Sequence, residues 1–172
     1  MFNTISKRTL RSPIISNLLF RRYGIDKNSY LKIAKDKIIE KPQVEKTKQE
    51  WEDQLGREGY KIMREHGTER AFLHELNDFK SKEGTFECAG CGNELFPASA
   101  KFDSGSGWPS FYDVKNEQES VILKTDVSYG MVRVEVLCNN CHSHLGHVFD
   151  DAYRQPTGLR YCINGACIRH KN

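Results

Sequence analysis

The sequence predicts a mainly β (α+β) protein, in which an antiparallel β domain follows short N-terminal helices. Two observations carry this prediction. Residues 47–66 place apolar side chains at helical spacing behind a capping pattern, whereas glycines, turn residues and short β-rich runs dominate from Gly84 onward. With 172 residues and a mass of 19.8 kDa the chain has the size of one domain, so one hydrophobic core with appended segments is expected.

The basic excess of the chain lies at its N-terminus. The formal net charge is +3, but residues 1–25 alone carry five basic side chains and no acidic one, interleaved with hydroxyl and apolar residues. This composition predicts a mitochondrial transit peptide at residues 1–25. A disordered basic tail on a cytoplasmic protein is the alternative, because Pro13 weakens a continuous amphipathic helix. Residues 26–46, which alternate lysines with acidic residues, are predicted to form a charged linker, and one weak helix that ends before Pro42 is the alternative.

The ordered domain is predicted to span residues 47–170. Thr47 and Glu50 have the spacing of a capping box, and Trp51 and Leu55 follow at helical spacing. A second short helix is predicted at about residues 57–66, ended by Gly67. The clearest strand is 131–137, where valines alternate with charged residues, and the other strand candidates are 121–124, 147–149 and 161–163.

Four of the six cysteines form two C-x-x-C pairs separated by 46 residues, Cys88/Cys91 and Cys138/Cys141. Each tight turn presents two sulfur atoms to one ion, so four thiolates predict a tetrahedral structural zinc site. A redox pair of thioredoxin type needs a βαβ context, and a reducing compartment disfavours disulfides. His142 and His144 are near enough in sequence to be alternative ligands, although four cysteines already fill the shell. A filled shell has no open position, so this zinc is expected to hold the fold and not to catalyse.

Cys162 is the candidate nucleophile among the two remaining cysteines. Residues two apart on a strand face the same side, so Arg160, Cys162 and Asn164 are expected to share one face. A guanidinium beside a thiol stabilises the nucleophilic thiolate. A buried cysteine that serves as a small hydrophobic residue is the alternative interpretation. On a continuous strand Cys167 lies on the opposite face, about 16 Å away, so a bridge between the two would need a turn.

Seven stretches of the chain, which together cover about residues 50–168, follow one another in the order of a known family. They are Gly67–Arg70 (GTER), Cys88-x-x-Cys91-Gly, Lys101–Phe111 (KFDSGSGWPSF), Gly130–Val136 (GMVRVEV), Cys138-x-x-Cys141, His144–Phe149 (HLGHVF) and Arg160–Asn164 (RYCIN). In these stretches the chain resembles the B class of methionine sulfoxide reductases. Several motifs in register make chance similarity implausible.

The resemblance implies reduction of the R epimer of methionine sulfoxide, protein-bound or free, which repairs oxidised proteins. It implies that the thiolate of Cys162 attacks the sulfoxide sulfur while an acid protonates the departing oxygen, so that methionine leaves and Cys162 becomes a sulfenic acid. His147, and after it His144, resembles the family's acid, and imidazole suits this role because it titrates near neutrality. Trp108 resembles the tryptophan that packs against the substrate methyl group. The further candidates for orienting and binding the sulfoxide are Asn164, Arg160, Phe149 and Asp151.

The chain departs from the family pattern at two places. Many members carry a resolving cysteine where this chain has Ser106, and a serine cannot form a disulfide with a sulfenic acid. The resemblance then implies that thioredoxin, or glutathione with glutaredoxin, reduces the sulfenic acid directly, with recycling through Cys167 as a third route. The family often has Pro-Asp-Gly after His-Val-Phe, whereas this chain has Asp150-Asp151-Ala152.

Two classes of non-enzymatic protein share the four paired cysteines. A zinc-ribbon module that binds nucleic acid requires a basic stripe, but residues 86–172 carry 8 basic and 10 acidic side chains. A zinc-stabilised interaction domain fits the composition, but it gives no reason for Trp108, two histidines and Cys162 to occur together. No apolar run approaches the roughly 18 residues that a membrane-spanning helix needs. We therefore expect a monomeric enzyme that acts without nucleic acid or membrane.

Overall fold

The structure is a computed structural model that describes residues 41–172. The transit peptide predicted at residues 1–25 and most of the linker predicted at 26–46 lie outside the described residues. The first described residues are attached to the domain, because the backbone N–H groups of Gln43 and Val44 donate to the carbonyl oxygen of Asn140 at 2.8 and 3.1 Å. In residues 41–172, no helix has both the length and the apolar character needed to cross a membrane.

One α-helix, α1 (Lys48–Arg64), occupies the region where two short helices were predicted. The predicted capping box is confirmed, because the Thr47 hydroxyl accepts from the Glu50 N–H and the Glu50 carboxylate accepts from the Thr47 N–H. Gly56 has φ 69° and ψ 168°, a conformation that interrupts the helix and that glycine adopts without strain. This kink falls at the boundary between the two predicted helices. The helix ends at Arg64, slightly before the predicted end at residue 66.

The described part of the chain then forms nine strands, and every strand pairing is antiparallel, which confirms the predicted mainly β class. All four strand candidates are strands, with longer bounds than predicted in three of them. The strands are β1 (Thr85–Cys88), β2 (Glu94–Pro97), β3 (Lys101–Phe102), β4 (Ser110–Phe111), β5 (Val121–Asp126), β6 (Arg133–Cys138), β7 (His144–Ala152), β8 (Gly158–Ile163) and β9 (Ile168–Lys171).

The nine strands form two sheets whose aromatic side chains meet in the core. The smaller sheet has the order β2-β1-β9, and the larger has the order β3-β4-β8-β7-β6-β5. Phe96 of β2 stacks on Phe111 of β4 with ring centroids 4.5 Å apart, and Phe86 of β1 meets Phe111 edge-on at 5.0 Å. All three phenylalanines are fully buried. The apolar core therefore joins the two sheets.

One face of the larger sheet is apolar and belongs to this core. Side chains that are directly opposite on antiparallel strands point to the same side of a sheet. Four such partners cross β4, β8, β7 and β6 in one row and are all buried: Phe111, Tyr161, Val148 and Val134. Because side chains alternate along a strand, their immediate neighbours point to the opposite face.

Gly146 lies where β7 and β8 approach most closely. A Cβ atom at this position would lie 2.0 Å from the carbonyl oxygen of Cys162, so only glycine fits without a backbone shift. The tight approach is next to the pair His147 and Cys162, which are partners in the same ladder.

We expect Gly146→Ala to lower the free energy of unfolding by about 2 kcal/mol, because the added methyl group must push β7 away from β8. Urea denaturation followed by tryptophan fluorescence measures the change. Gly59→Ala is the matched control, because the helix favours alanine by about 1 kcal/mol and the nearest contact of the new Cβ, at 3.2 Å, is a side-chain atom of Leu55. Equal stability of the two variants would contradict the close packing of β7 on β8.

Candidate functional site

A row of polar side chains crosses the face of the larger sheet that is opposite the core. Its members are partners in register on β4, β8, β7 and β6: Ser110, Cys162, His147 and Glu135. Antiparallel pairing therefore brings the predicted nucleophile and the first-choice acid onto neighbouring strands and the same face. The two residues lie in separate sequence motifs, and the β7–β8 ladder brings them together.

Cys162 lies next to a chain of three hydroxyl groups. Its Sγ atom is 3.9 Å from the Oγ atom of Ser106, which is 2.8 Å from the Oγ atom of Ser104. Ser104 in turn lies 2.8 Å from Ser110, the strand partner of Cys162. Ser106 is therefore in contact with Cys162, the predicted nucleophile.

The Cys162 thiol is partly buried, and burial opposes the expected effect of Arg160 on its ionisation. Burial raises the pKa of the Cys162 thiol above its ordinary value, while the positive charge of Arg160 and the hydroxyl of Ser106 lower it. Burial outweighs the other two because a thiolate loses hydration in a low-dielectric site. The net effect favours the thiol form of Cys162.

Arg160 is held in place by two residues that were predicted to bind substrate. Asp151 accepts two hydrogen bonds from the Arg160 guanidinium, at 2.8 and 2.7 Å, in the bidentate geometry of a strong ion pair. The guanidinium also lies 4.5 Å from the ring centroid of Phe149. Phe149 and Asp151 thus contact Arg160, and Arg160 precedes Cys162 on the same strand.

The sequence predicted that Asn164 shares one strand face with Arg160 and Cys162, and the structure contradicts this prediction. Strand β8 ends at Ile163, and Asn164 begins a short 3-10 turn over Gly165–Cys167. The buried Asn164 side chain donates to the carbonyl oxygen of Leu145 at 3.0 Å and accepts from the backbone N–H of Glu69 at 3.0 Å. It therefore ties the segment after α1 to the site.

Glu69 connects Asn164 to Trp108. Its carbonyl oxygen accepts from the Trp108 indole N–H at 3.2 Å. Its carboxylate accepts from the backbone N–H groups of Gly165 and Ala166 at 2.6 and 2.9 Å. Glu69 of the GTER segment thereby fixes both the Trp108 indole and the turn that follows β8.

Cys167 lies in the 3-10 turn, so the prediction that placed it on the opposite face of a continuous strand is wrong. Its fully buried thiol donates to the carbonyl oxygen of His144 at 3.3 Å. Burial raises the pKa of the Cys167 thiol well above its ordinary value. A thiol in this environment is a poor nucleophile, because the thiolate is the reactive form.

His147 is bonded to Asp126, which sequence reasoning did not identify. The Nε2 atom of His147 lies 2.9 Å from Asp126, whose carboxylate can only accept, so Nε2 carries the proton. Burial lowers the pKa of His147, and Asp126 opposes this effect. Within residues 41–172, no hydrogen bond joins the imidazole of His144 or His147 to the Cys162 Sγ atom. His147 lies opposite Cys162 as its partner in the β7–β8 ladder.

His144 is bonded to Glu135, and these two buried residues form a cluster with the exposed His66. The Nδ1 atoms of His144 and His66 lie 2.7 and 2.6 Å from the same carboxylate oxygen of Glu135. Burial would raise the pKa of Glu135, yet the two imidazoles hold it below its ordinary value. The distances are those of charge-assisted hydrogen bonds. This bond fixes the Nδ1–H tautomer of His144 and leaves its Nε2 atom unprotonated in the neutral ring.

The four paired cysteines meet at the junction of the two sheets. Cys88 and Cys91 belong to the β1–β2 turn, and Cys138 and Cys141 belong to the β6–β7 turn. The Sγ atoms all lie within 4.8 Å of one another, with Cys88 and Cys141 at 3.7 Å and Cys91 and Cys138 at 3.5 Å. These distances exceed a disulfide bond of about 2.05 Å. They match the sulfur separation of about 3.8 Å that follows from a tetrahedral shell with Zn–S bonds of about 2.3 Å.

Both cysteine turns have the same backbone geometry. The N–H of the residue after each pair, Gly92 or His142, donates to the carbonyl oxygen of the first cysteine at 2.9 Å. Both of these residues have positive φ, 76° and 55°. His142 therefore serves the turn and His144 binds Glu135, so the four cysteines together form a cluster that could bind one metal ion.

The family to which this site belongs follows from sequence comparison. Residues 55–172 match the family model described as the SelR domain. The chain is 55% identical over 123 residues to the peptide methionine sulfoxide reductase MsrB of Thiobacillus denitrificans, which covers 72% of this chain and 91% of that protein. The chain belongs to the SelR family of peptide methionine sulfoxide reductases.

Other members of the SelR family are similarly related. The chain is 50% identical over 128 residues to the MsrB protein of Methanosarcina barkeri, covering 74% of this chain and 88% of that protein. It is 50% identical over 129 residues to an MsrB protein of Acinetobacter baumannii, covering 74% and 90%. These relatives confirm the resemblance to the B class and the prediction of an oxidoreductase.

Sequence reasoning missed the residues that hold the predicted side chains of this SelR site. A signal was present for three of them, because Glu69 lies in the GTER motif and Arg133 and Glu135 alternate with core valines. A charge that alternates with buried valines must point away from the core. No local pattern links Asp126 to His147, since the two belong to strands that are distant in sequence.

We expect Cys88→Ser to weaken metal binding by the cysteine cluster and to lower the unfolding temperature by on the order of 10 °C or more, because a metal bound by these four cysteines would join the two sheets. Elemental analysis of the purified protein and calorimetry measure the two effects. Cys167→Ala is the matched control, because Cys167 is equally buried but lies outside the cluster. Full metal content and unchanged stability in Cys88→Ser would rule out Cys88 as a ligand of a structural metal.

Proposed function

We propose that this chain reduces the R epimer of methionine sulfoxide, protein-bound or free, through a sulfenic acid on Cys162, and thereby repairs oxidised proteins. The observation that carries the proposal is the pairing of Cys162 with His147 on the polar face of a sheet in a SelR-family chain. The partial burial of Cys162, its contact with Ser106 and the nearby charge of Arg160 support it.

The ionisation of the site suggests how the proton moves during attack. The resting site contains a Cys162 thiol and an imidazole whose pKa is lowered by burial. His147 accepts the thiol proton as Cys162 attacks the sulfoxide sulfur, and it passes this proton to the sulfoxide oxygen. The attack forms a bond between the Cys162 sulfur and the substrate sulfur. The protonated oxygen then passes from the substrate sulfur to the Cys162 sulfur as the sulfur–sulfur bond breaks, so that methionine leaves and Cys162 becomes a sulfenic acid. The sulfoxide is reduced by two electrons, and the Cys162 sulfur is oxidised by two.

Trp108 supplies the apolar surface for the substrate methyl group in this proposal. Its partly exposed ring is fixed through the hydrogen bond from its indole N–H to Glu69. A sulfoxide sulfur is a stereocentre, so a methyl pocket on one side and an oxygen site on the other distinguish its two epimers. Asn164 and Arg160 complete the predicted catalytic set, and Phe149 and Asp151 act by holding Arg160.

The sulfenic acid of Cys162 requires an external thiol for its reduction. Ser106 is the residue beside the Cys162 sulfur and cannot form a disulfide, and Cys167 is fully buried with its pKa raised well above the ordinary value. The first thiol condenses with the sulfenic acid to release water, and a second thiol restores Cys162 and leaves as a disulfide. We infer that thioredoxin, or glutathione with glutaredoxin, provides these thiols to a monomeric enzyme.

Zinc is the metal that best suits the four-cysteine cluster. Four thiolates in a closed tetrahedral arrangement are typical of structural zinc, and no open position remains for a substrate. The zinc would hold Cys88, Cys91, Cys138 and Cys141 together and would stabilise the junction of the sheets. The acid-free, basic composition of residues 1–25 supports delivery of the protein to mitochondria, a compartment in which thiols stay reduced.

We expect Cys162→Ser to abolish reduction of methionine-R-sulfoxide with dithiothreitol as the reductant, because a hydroxyl cannot take its place as the nucleophile. Cys167→Ala is expected to retain most of the activity under the same conditions. The wild type should leave the S epimer almost untouched. Product formation measured by chromatography would reject the proposal if Cys162→Ser were as active as the wild type, or if both epimers reacted equally.

We expect Ser106→Cys to form a disulfide with Cys162 after one turnover, because the Oγ atom that the new sulfur replaces is 3.9 Å from the Cys162 Sγ atom. Mass spectrometry of the oxidised protein without a reductant measures it as a loss of two hydrogen atoms. The wild type, as the control, should gain one oxygen atom. A gain of oxygen in both proteins would contradict the proposed contact between positions 106 and 162.

A further inference from the structure

The carboxylate of Asp126 links three neighbouring strands, because it contacts His147 and Arg133 on two other strands. It is the last residue of β5, and its carboxylate lies 2.9 Å from the His147 Nε2 atom of β7 and 2.7 Å from an Arg133 guanidinium nitrogen of β6. The backbone N–H of Ser128 donates to the other carboxylate oxygen at 2.8 Å. The carboxylate is thus held from several directions, although Asp126 and His147 are distant in sequence.

This network determines which nitrogen of His147 is available. Asp126 and Arg133 are mostly buried, with side chains 16% and 23% exposed. A bond to a fixed carboxylate keeps Nε2 protonated, so proton exchange during the reaction is left to Nδ1. The orientation of the ring is set by the same bond, since an imidazole with one nitrogen fixed cannot flip freely.

We propose that Asp126 is a positioning residue for His147 and that it stabilises the imidazolium formed during sulfoxide reduction. Arg133 weakens this stabilisation of the imidazolium, because its guanidinium binds the same carboxylate. The inference rests on the proposed relay of the Cys162 proton through His147. The thiol loses a proton to Nδ1, the sulfoxide oxygen receives it, and Asp126 keeps its charge throughout. Asp126 is suited to this, because burial would raise its pKa but Ser128, His147 and Arg133 hold it well below its ordinary value.

The charged and titratable groups around His147 determine the direction of each effect. They come from four strands: Asp126 of β5, Arg133 and Glu135 of β6, His144 of β7 and Cys162 of β8. Burial, Arg133 and His144 lower the pKa of His147, whereas Asp126 raises it. Loss of the carboxylate must therefore lower this pKa, and loss of the guanidinium must raise it.

The test measures the rate of sulfoxide reduction in a single turnover against pH, together with the titration of the His147 ring by NMR in the resting enzyme. The rate falls on the acidic side as His147 takes up an additional proton. Asp126→Asn should move this acidic limb and the NMR titration to lower pH by about one unit and should slow the reaction at neutral pH by about tenfold. Arg133→Gln should move both to higher pH.

Three further variants separate positioning from general damage to the fold. Asp126→Glu should recover part of the lost rate, and the double variant Asp126→Asn/Arg133→Gln should return the titration toward that of the wild type. Glu94→Gln removes the same charge from an exposed position in the other sheet and should move neither curve.

An NMR titration that Asp126→Asn leaves unmoved, or that both single variants shift in the same direction, would overturn the inference even in an active enzyme. Failure of the proposed function would be seen separately, as full activity of Cys162→Ser.

Discussion

The close pairing of β7 with β8 is the constraint on which the site depends. The register places His147 opposite Cys162 and Gly146 opposite Ile163, and the carbonyl oxygen of Cys162 occupies the space that a side chain at position 146 would need. A slip of one residue would send Cys162 to the core face. The buried row of Phe111, Tyr161, Val148 and Val134 prevents this slip. Side chains alternate along β8, so the burial of Tyr161 in the core places its neighbour Cys162 on the opposite face.

The cysteine cluster links the larger sheet to the smaller one, and α1 with the segment after it is hydrogen-bonded to the larger sheet and its turns. The β1–β2 and β6–β7 turns meet through their sulfur atoms, and Arg64 of α1 donates to the carbonyl oxygen of Cys141 and to the Ser143 hydroxyl. The chain then leaves the helix and reaches Glu69, which bonds the turn after β8 and the Trp108 indole. Helix α1 is therefore linked to the β6–β7 cysteine turn, and Glu69 is linked to the indole and to the turn after β8.

Burial shifts the pKa values of the acidic and basic groups of the polar face in opposite directions. It raises the pKa of Cys162 and lowers the pKa of His147, so both favour their neutral forms at rest. Asp126 and Glu135 are also shielded from water, but each has cationic or N–H partners that keep it ionised. Neutral forms of Cys162 and His147 beside fixed charges suit the proposed reaction, in which one proton moves within the site and the net charge stays constant.

The sequence alone determined the mainly β class, the capping box at Thr47, the four strand candidates, the cysteine pairs and the family, because each depends on local spacing or on motifs within one segment. It placed Asn164 on the face of a strand that ends at Ile163, and it gave the direction in which Arg160 shifts the pKa of Cys162 but not the larger opposing effect of burial. Only the tertiary structure decided the partners of the site residues, such as Asp126 with His147 and Glu69 with Trp108. The physical reason is that hydrogen bonds and desolvation depend on which distant segments pack together, and periodicity within one segment carries no record of that packing.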